Sequence, residues 1–226
     1  MASTAKRHHH SKKEDLLVTS SFQAWNYAKE HLKEVVGTIA GIVILALVIW
    51  GTMWFQEHNS QNALEGFGKA MTHYQNGDYA AAIPLFDEVI KAHGGTYAGK
   101  KSIYYKANAL YMEGKYEEAR EAYEKYLKKG RDEILTPSAM MGVADCQLSL
   151  GHHAEAIEMY EKVAKKYPEM WIAPHALYKM ALAYRDQGDT DNAKKTFEHL
   201  VEEYPTSIYT TDVNRYLAEI ERTSGE

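Results

Sequence analysis

Four near-copies of one phrase set the strongest limit on how this chain can fold. They read "QNGDYAAAIPLFDEVI", "MEGKYEEAREAYEKYLKKG", "SLGHHAEAIEMYEKVAKKYP" and "DQGDTDNAKKTFEHLVEEYP", and their glycines Gly77, Gly114, Gly151 and Gly188 are each 37 residues apart. A fixed period of this size means stacked supersecondary units that bury their apolar faces against one another. Each unit reads as two helices. The first carries apolar residues at helical spacing, as in "SIYYKANALYME", and the glycine marks its C-terminal turn. The second follows, as in "KYEEAREAYEKYLKK", and two of the units end near a proline, in "KKYPEM" and "EEYPTS". Advancing 37 residues from Gly188 reaches Gly225, so "TTDVNRYLAEIERT" is a fifth first helix without its second. Asp212, Asn214, Arg215, Glu219 and Glu221 make one side of it polar, as expected of a helix that shields the last repeat from water.

These features resemble the tetratricopeptide repeat family. Its small-residue positions match Ala70, Ala107, Ala144 and Ala181 in the first helices, and Ala82, Ala119, Ala156 and Ala193 in the second. A bulkier side chain there would wedge the crossing helices apart. The family's aromatic position is filled by Phe86, Tyr123, Tyr160 and Phe197, and its terminal proline by Pro168 and Pro205, whereas Gly94 and Arg131 depart from it. The family's usual period is about 34 residues, so each unit here carries extra residues, expected in the connection between repeats. The resemblance covers Ala63 to Pro205 and implies an all-α solenoid of helical hairpins.

Ahead of the repeats, "VVGTIAGIVILALVIWGTMWF" (Val35 to Phe55) runs for 21 residues without a charge. As a helix it would be about 31 Å long, close to the hydrocarbon thickness of a bilayer. The apolar run is too long for a cleaved signal peptide, and no small-x-small site follows it in "WFQEHNSQ", so it reads as a retained signal anchor. Lys6, Arg7, Lys12, Lys13, Lys29 and Lys33 precede the span, and the first basic residue after it is Lys69. Positive charge stays inside, which puts the N-terminus in the cytoplasm and the repeats across the membrane. Gly37 and Gly41 form a GxxxG pair through which two spans could associate as a homodimer. In "SSFQAWNYAKEHLKE", Val18, Phe22, Trp25, Ala28 and Leu32 share a helical face, as in a helix lying on the inner leaflet. A plain N-terminal continuation of the membrane helix fits the same residues.

The expected organisation is therefore a disordered cytoplasmic tail over 1–15, an amphipathic juxtamembrane helix over 16–34 and a transmembrane helix over 35–55. A linker over 56–62, four repeats over 63–205 and a capping helix with tail over 206–226 complete it.

No phosphate loop, zinc-protease or nucleophile-elbow string occurs. His152 and His153 are adjacent, so they point to different sides of a helix and make poor joint ligands. His8, His9 and His10 read as polar tail. One cysteine, Cys146, excludes an internal disulfide, and a net charge of −5 gives no general pull toward nucleic acid. Neither an enzyme, a metal site nor a cofactor is expected. What the family resemblance implies is a groove lined by the first helices. Its fifth position carries over to Phe67, Tyr104, Met141 and Tyr178; its ninth to Met71, Asn108, Asp145 and Leu182; its twelfth to Tyr74, Tyr111, Leu148 and Arg185. This aromatic and methionine-rich lane suits an extended or helical peptide. Among the groove positions the cations are Lys101 and Arg185, too few for the carboxylate clamp of chaperone-tail-binding repeats.

The layout of anchor, short link and repeats is similar to that of YfgM-like ancillary proteins of the bacterial Sec translocon. "YPTSIYTTD" also looks like repeat domains of envelope-coordination proteins such as the Tol–Pal coordinator. These likenesses imply an inner-membrane adaptor whose periplasmic repeats bind envelope or secreted proteins, translocon or chaperone partners among them. The alternatives are a structural accessory subunit held in a larger membrane complex by its span, and an enzyme accessory domain acting on the cell wall or on secreted substrates.

Overall fold

A computed structural model describes residues 12–130 and 132–224. They form ten helices, with no strand among the described residues. The chain has two compact units, one up to Glu57 and one from His58 onward.

The first unit holds α1 (Lys12–Glu30) and the opening part of α2 (Leu32–Gln75). A turn at His31 separates the two helices. α2 is the one helix among the described residues long and apolar enough to cross a membrane. Its apolar side chains from Val36 to Phe55 are exposed, Ile42, Leu45 and Trp50 among them. Two expected boundaries shift. The expected disordered tail runs to residue 15, but α1 starts at Lys12, and residues 1–11 with His8, His9 and His10 lie outside the described residues. The expected linker over 56–62 is helical, part of α2. Its sequence "QEHNSQN" holds no glycine or proline, and adding a residue to an existing helix needs no new nucleus.

The second unit is built from hairpins. The end of α2 pairs with α3 (Tyr79–His93), α4 (Tyr97–Met112) with α5 (Tyr116–Lys129), α6 (Leu135–Ser149) with α7 (His153–Lys166), and α8 (Ile172–Asp186) with α9 (Thr190–Glu203). The first member of each pair is here termed the A helix and the second the B helix. α10 (Thr210–Ser224) packs on α9, with Val213 fully buried and the Tyr216 ring stacked 5.5 Å from Phe197. It occupies the place expected of the capping helix.

The repeating glycine makes each hairpin turn. Gly77, Gly114, Gly151 and Gly188 have φ of 78°, 72°, 81° and 79°, the left-handed region where a Cβ is penalised. Each turn has the same two bonds. The glycine N–H donates to the carbonyl three residues back, as from Gly151 to Leu148 at 3.0 Å, and the next N–H donates five back, as from His152 to Gln147 at 2.9 Å. This is the Schellman termination, and it leaves the last A-helix carbonyls satisfied before the chain reverses. Asp78 and Asp189 then cap their B helices by accepting from Ala81 N–H and Asn192 N–H.

Packing follows the same register. All eight register alanines, from Ala70 and Ala82 to Ala181 and Ala193, are fully buried. Phe86, Tyr123, Tyr160 and Phe197 fill the space beside them. Small residues at the crossings let the helices approach, and the rings fill the interior between layers.

Candidate protein-binding groove

The ninth A-helix position and the B-helix aromatic, 15 residues later, form one matched unit per repeat. Tyr123 donates its hydroxyl to Asn108 Oδ1, and Tyr160 donates to Asp145 Oδ1 at 2.6 Å. In the first and last repeats the aromatic is a phenylalanine, and its ninth-position partner is Met71 or Leu182, both in the same apolar clusters. A polar partner is present where a buried hydroxyl needs an acceptor and absent where no hydroxyl exists. Asn108 and Asp145 are thus bonded inside their own hairpins. Asp145 also meets Lys179 Nζ at 3.3 Å, which carries its charge across to the next A helix. Burial pushes the Tyr160 and Tyr123 hydroxyls far above the ordinary tyrosine range, so both stay protonated donors.

Fifth-position side chains differ from repeat to repeat. Met141 is 4% exposed and belongs to the core. Phe67 lies 5.6 Å from the Tyr105 ring and 6.0 Å from Phe86, joining the first two repeats. Tyr104 is half-buried among Tyr105, Tyr123 and Tyr126, with centroids 5.3 to 5.9 Å away. Tyr178 stacks on Tyr209 at 4.7 Å and tilts against Phe197 at 6.2 Å.

The twelfth position lies near the hairpin turns. Tyr74 makes edge contacts with Tyr79 and Tyr105, and Tyr111 packs on Tyr116 with its hydroxyl 3.4 Å from Ser149 Oγ. Leu148 is partly buried against the core of the later repeats. Arg185 sits over the Tyr216 ring at 5.0 Å and reaches Asp186 at 3.3 Å, so the end of the groove carries an exposed guanidinium.

Two groove residues escape a reading by fifth, ninth and twelfth positions. Lys179 is the partner of Asp145 just described. His175 holds the second A-helix position, in register with Lys101, and is stacked 5.5 Å from Tyr209 and 6.5 Å from Trp171. Its Nδ1 is buried without a hydrogen-bond partner. Burial, with the Lys179 charge nearby, lowers its pKa, so the ring is held neutral. The 37-residue step from Lys101 through Ser138 leads directly to this histidine.

Burial, with Asp145 alongside, pushes the Cys146 thiol up to about 12, which removes it as a nucleophile. Among the described residues, no three His, Cys, Asp or Glu side chains gather as a metal-holding group. Gly37 and Gly41, in the first unit, have open space where a Cβ would stand.

Tetratricopeptide repeat profiles match residues 67–134, 106–170 and 175–207. No curated protein matches the chain. Solved structures share its fold. The nearly identical TPR-like repeats of a kinesin light chain candidate from Podosopora anserina align with a TM-score of 0.60 at 20% identity, over 75% of this chain and 89% of that one. MamA from Desulfovibrio magneticus aligns with a TM-score of 0.58 at 17% identity, over 72% and 85%. A Rap protein complexed with Competence and Sporulation Factor aligns at 0.56 and 17% identity, over 68% of this chain and 46% of that one. Tetratricopeptide repeats are a scaffold for contact between proteins. With the period, the glycine turns and the buried alanines all in one register, the chain belongs to the tetratricopeptide repeat family.

Proposed function

We propose that this chain is a single-pass membrane adaptor without catalytic activity. Its span holds the repeat unit at the outer face of a bacterial inner membrane, with the N-terminus cytoplasmic. The repeats bind envelope or secreted proteins, translocon subunits or periplasmic chaperones among them. The observation that carries this reading is an uninterrupted helical stretch of exposed apolar side chains, Val36 to Phe55, in a chain whose helices from α3 onward are built as a solenoid. Apolar surface on that scale is stable in lipid or against protein, not in water. The charge asymmetry of Lys29 and Lys33 before the span and Lys69 after it supports the orientation.

The binding lane runs through Tyr104, Tyr111, Tyr178 and Arg185, with Lys179 and His175 as its polar floor. Phe67, Tyr74 and Leu148 border it, while Met141 supports it from the core and Asn108 and Asp145 fix its walls. Half-buried tyrosines of this kind offer a rigid apolar body and a polar tip to a peptide. The Rap protein, a neighbour in fold, was solved in complex with a partner, Competence and Sporulation Factor, which supports a binding role.

A photo-crosslinking amino acid placed at Tyr111 or Arg185 of the full chain, in native membranes, tests the groove. It should give a discrete protein adduct that the same probe at Lys195, on a B helix, does not. Equal adducts from both positions would move the binding surface off the groove. Adducts only from a probe near Gly37 and Gly41 would favour the accessory-subunit reading, in which the span makes the contact or pairs with a second copy.

A further inference from the structure

Among the described residues of the second unit, Leu64, Met112 and four others are exposed large apolar side chains, and those four recur at a regular interval. Tyr97, Ile134, Trp171 and Ile208 are 63%, 60%, 62% and 85% exposed. They are each 37 residues apart, so each holds the same register position, at or just before the start of an A helix or the capping helix. This is the connection between repeats. One such exposed side chain needs no explanation, but a repeated row is a surface. The row forms one edge of the solenoid, where contacts of differing kind join the first connection to the second and the third to the fourth. Tyr97 donates to Asp132 at 3.1 Å, Tyr204 donates to the Pro168 carbonyl at 3.0 Å, and Trp171, His175 and Tyr209 stack in sequence.

Because A and B helices are antiparallel, the C-terminal turns of the B helices end on the same edge. Those turns carry Lys91, then Lys128 and Lys129, then Lys165 and Lys166. Each cation complements its own helix dipole, and together they set a basic band beside the apolar row. Acidic groups are present too, at Asp132, Glu133 and Glu169, and the last B helix ends in Glu202 and Glu203. Positive charge is therefore densest over the first three repeats, on the side where the chain enters.

The entry point names the occupant. The chain enters the second unit at the N-terminal end of the first A helix, whose start belongs to this edge, as the 2.6 Å bond that Asn59 Oδ1 accepts from His93 Nδ1 shows. Ser60 holds the register position there, five residues after Phe55. Even fully extended, five residues reach no more than about 18 Å. We infer that this edge docks on the lipid surface: Tyr97, Ile134, Trp171 and Ile208 enter the headgroup–acyl boundary, and the lysine band meets anionic headgroups. Aromatic side chains favour that boundary, and basic residues are attracted to anionic lipid. The docking rests on the anchored reading above, and it leaves the groove free for a protein partner.

The test uses the full chain with Cys146→Ala and single cysteines at Ile134, Trp171 or Ile208. Control cysteines stand at Glu113, in a hairpin turn at the other end of the A helices, and at Val48 in the span. Each is labelled with an environment-sensitive fluorophore and reconstituted in vesicles of phosphatidylethanolamine and phosphatidylglycerol containing nitroxide-labelled acyl chains. Helicity is checked for each variant. Label at 134, 171 and 208 should be quenched several-fold more than label at 113, and the difference should shrink when phosphatidylglycerol is left out. If these three sites behave like 113 while 48 is quenched, docking is refuted and anchoring stands. A protein covering the row in the cell would give that same result. If 48 is not quenched, the anchor fails and the docking falls with it.

Discussion

Removing the Tyr160 hydroxyl isolates the pairing that links each A helix to its B helix. Tyr160 is fully buried and donates to Asp145 Oδ1 at 2.6 Å. A hydrogen bond to a charged acceptor is worth about 1.5–3 kcal/mol, so Tyr160→Phe should cost about 2 kcal/mol. Asp145→Leu should cost a similar amount, about 1–3 kcal/mol, because it strands a buried hydroxyl. Losing the contact with Lys179, a third exposed, adds less than about 1 kcal/mol. The double variant recreates the Phe197 and Leu182 pair of the last repeat, with neither donor nor acceptor. It should be close to wild type, so the coupling in a double-mutant cycle equals the two single losses together, about 4 kcal/mol. Thermal and urea unfolding of the full chain in detergent, followed by far-ultraviolet circular dichroism, measures all four proteins. If the double variant loses the sum of the two single losses, the pairing is not an energetic unit and the account of the groove walls is wrong.

Gly151→Ala should cost about 1–2 kcal/mol by the left-handed backbone alone, since an added Cβ meets nothing within 4 Å; an unchanged melting temperature would contradict the turn assignment. Ala156→Leu should overpack a fully buried crossing by about 1–3 kcal/mol in the same assay. His175, whose pKa burial lowers in the folded state, should leave stability intact above its unfolded value of about 6.5 and erode it as pH falls through that value. His175→Asn should flatten that part of the pH–stability profile.

The repeat was legible because its glycines are required by backbone geometry. A left-handed turn is costly for any residue with a Cβ, so the same letter returns every 37 residues and fixes the register of everything else. Boundaries were less legible. "QEHNSQN" is polar enough to look like a linker, yet it lies between two helical segments and continues both as part of α2. The bonding inside the groove walls was less legible for another reason. Position within one A helix does not show that Asn108 and Asp145 answer hydroxyls on the following B helix. The signal was present across repeats, where tyrosine accompanies an acceptor and phenylalanine accompanies methionine or leucine. The exposed row of Tyr97, Ile134, Trp171 and Ile208 was also periodic, but exposure cannot be read from letters in a connection outside both helical patterns.

Display of the repeats across a membrane by a retained span is the central claim, and a fusion tests it directly. A reporter enzyme that matures only outside the cytoplasm, joined after Glu226, should be active and should remain with the membrane fraction after alkaline extraction. Activity from a cytoplasm-only reporter at the same junction, or release of the fusion as a soluble protein, would contradict it.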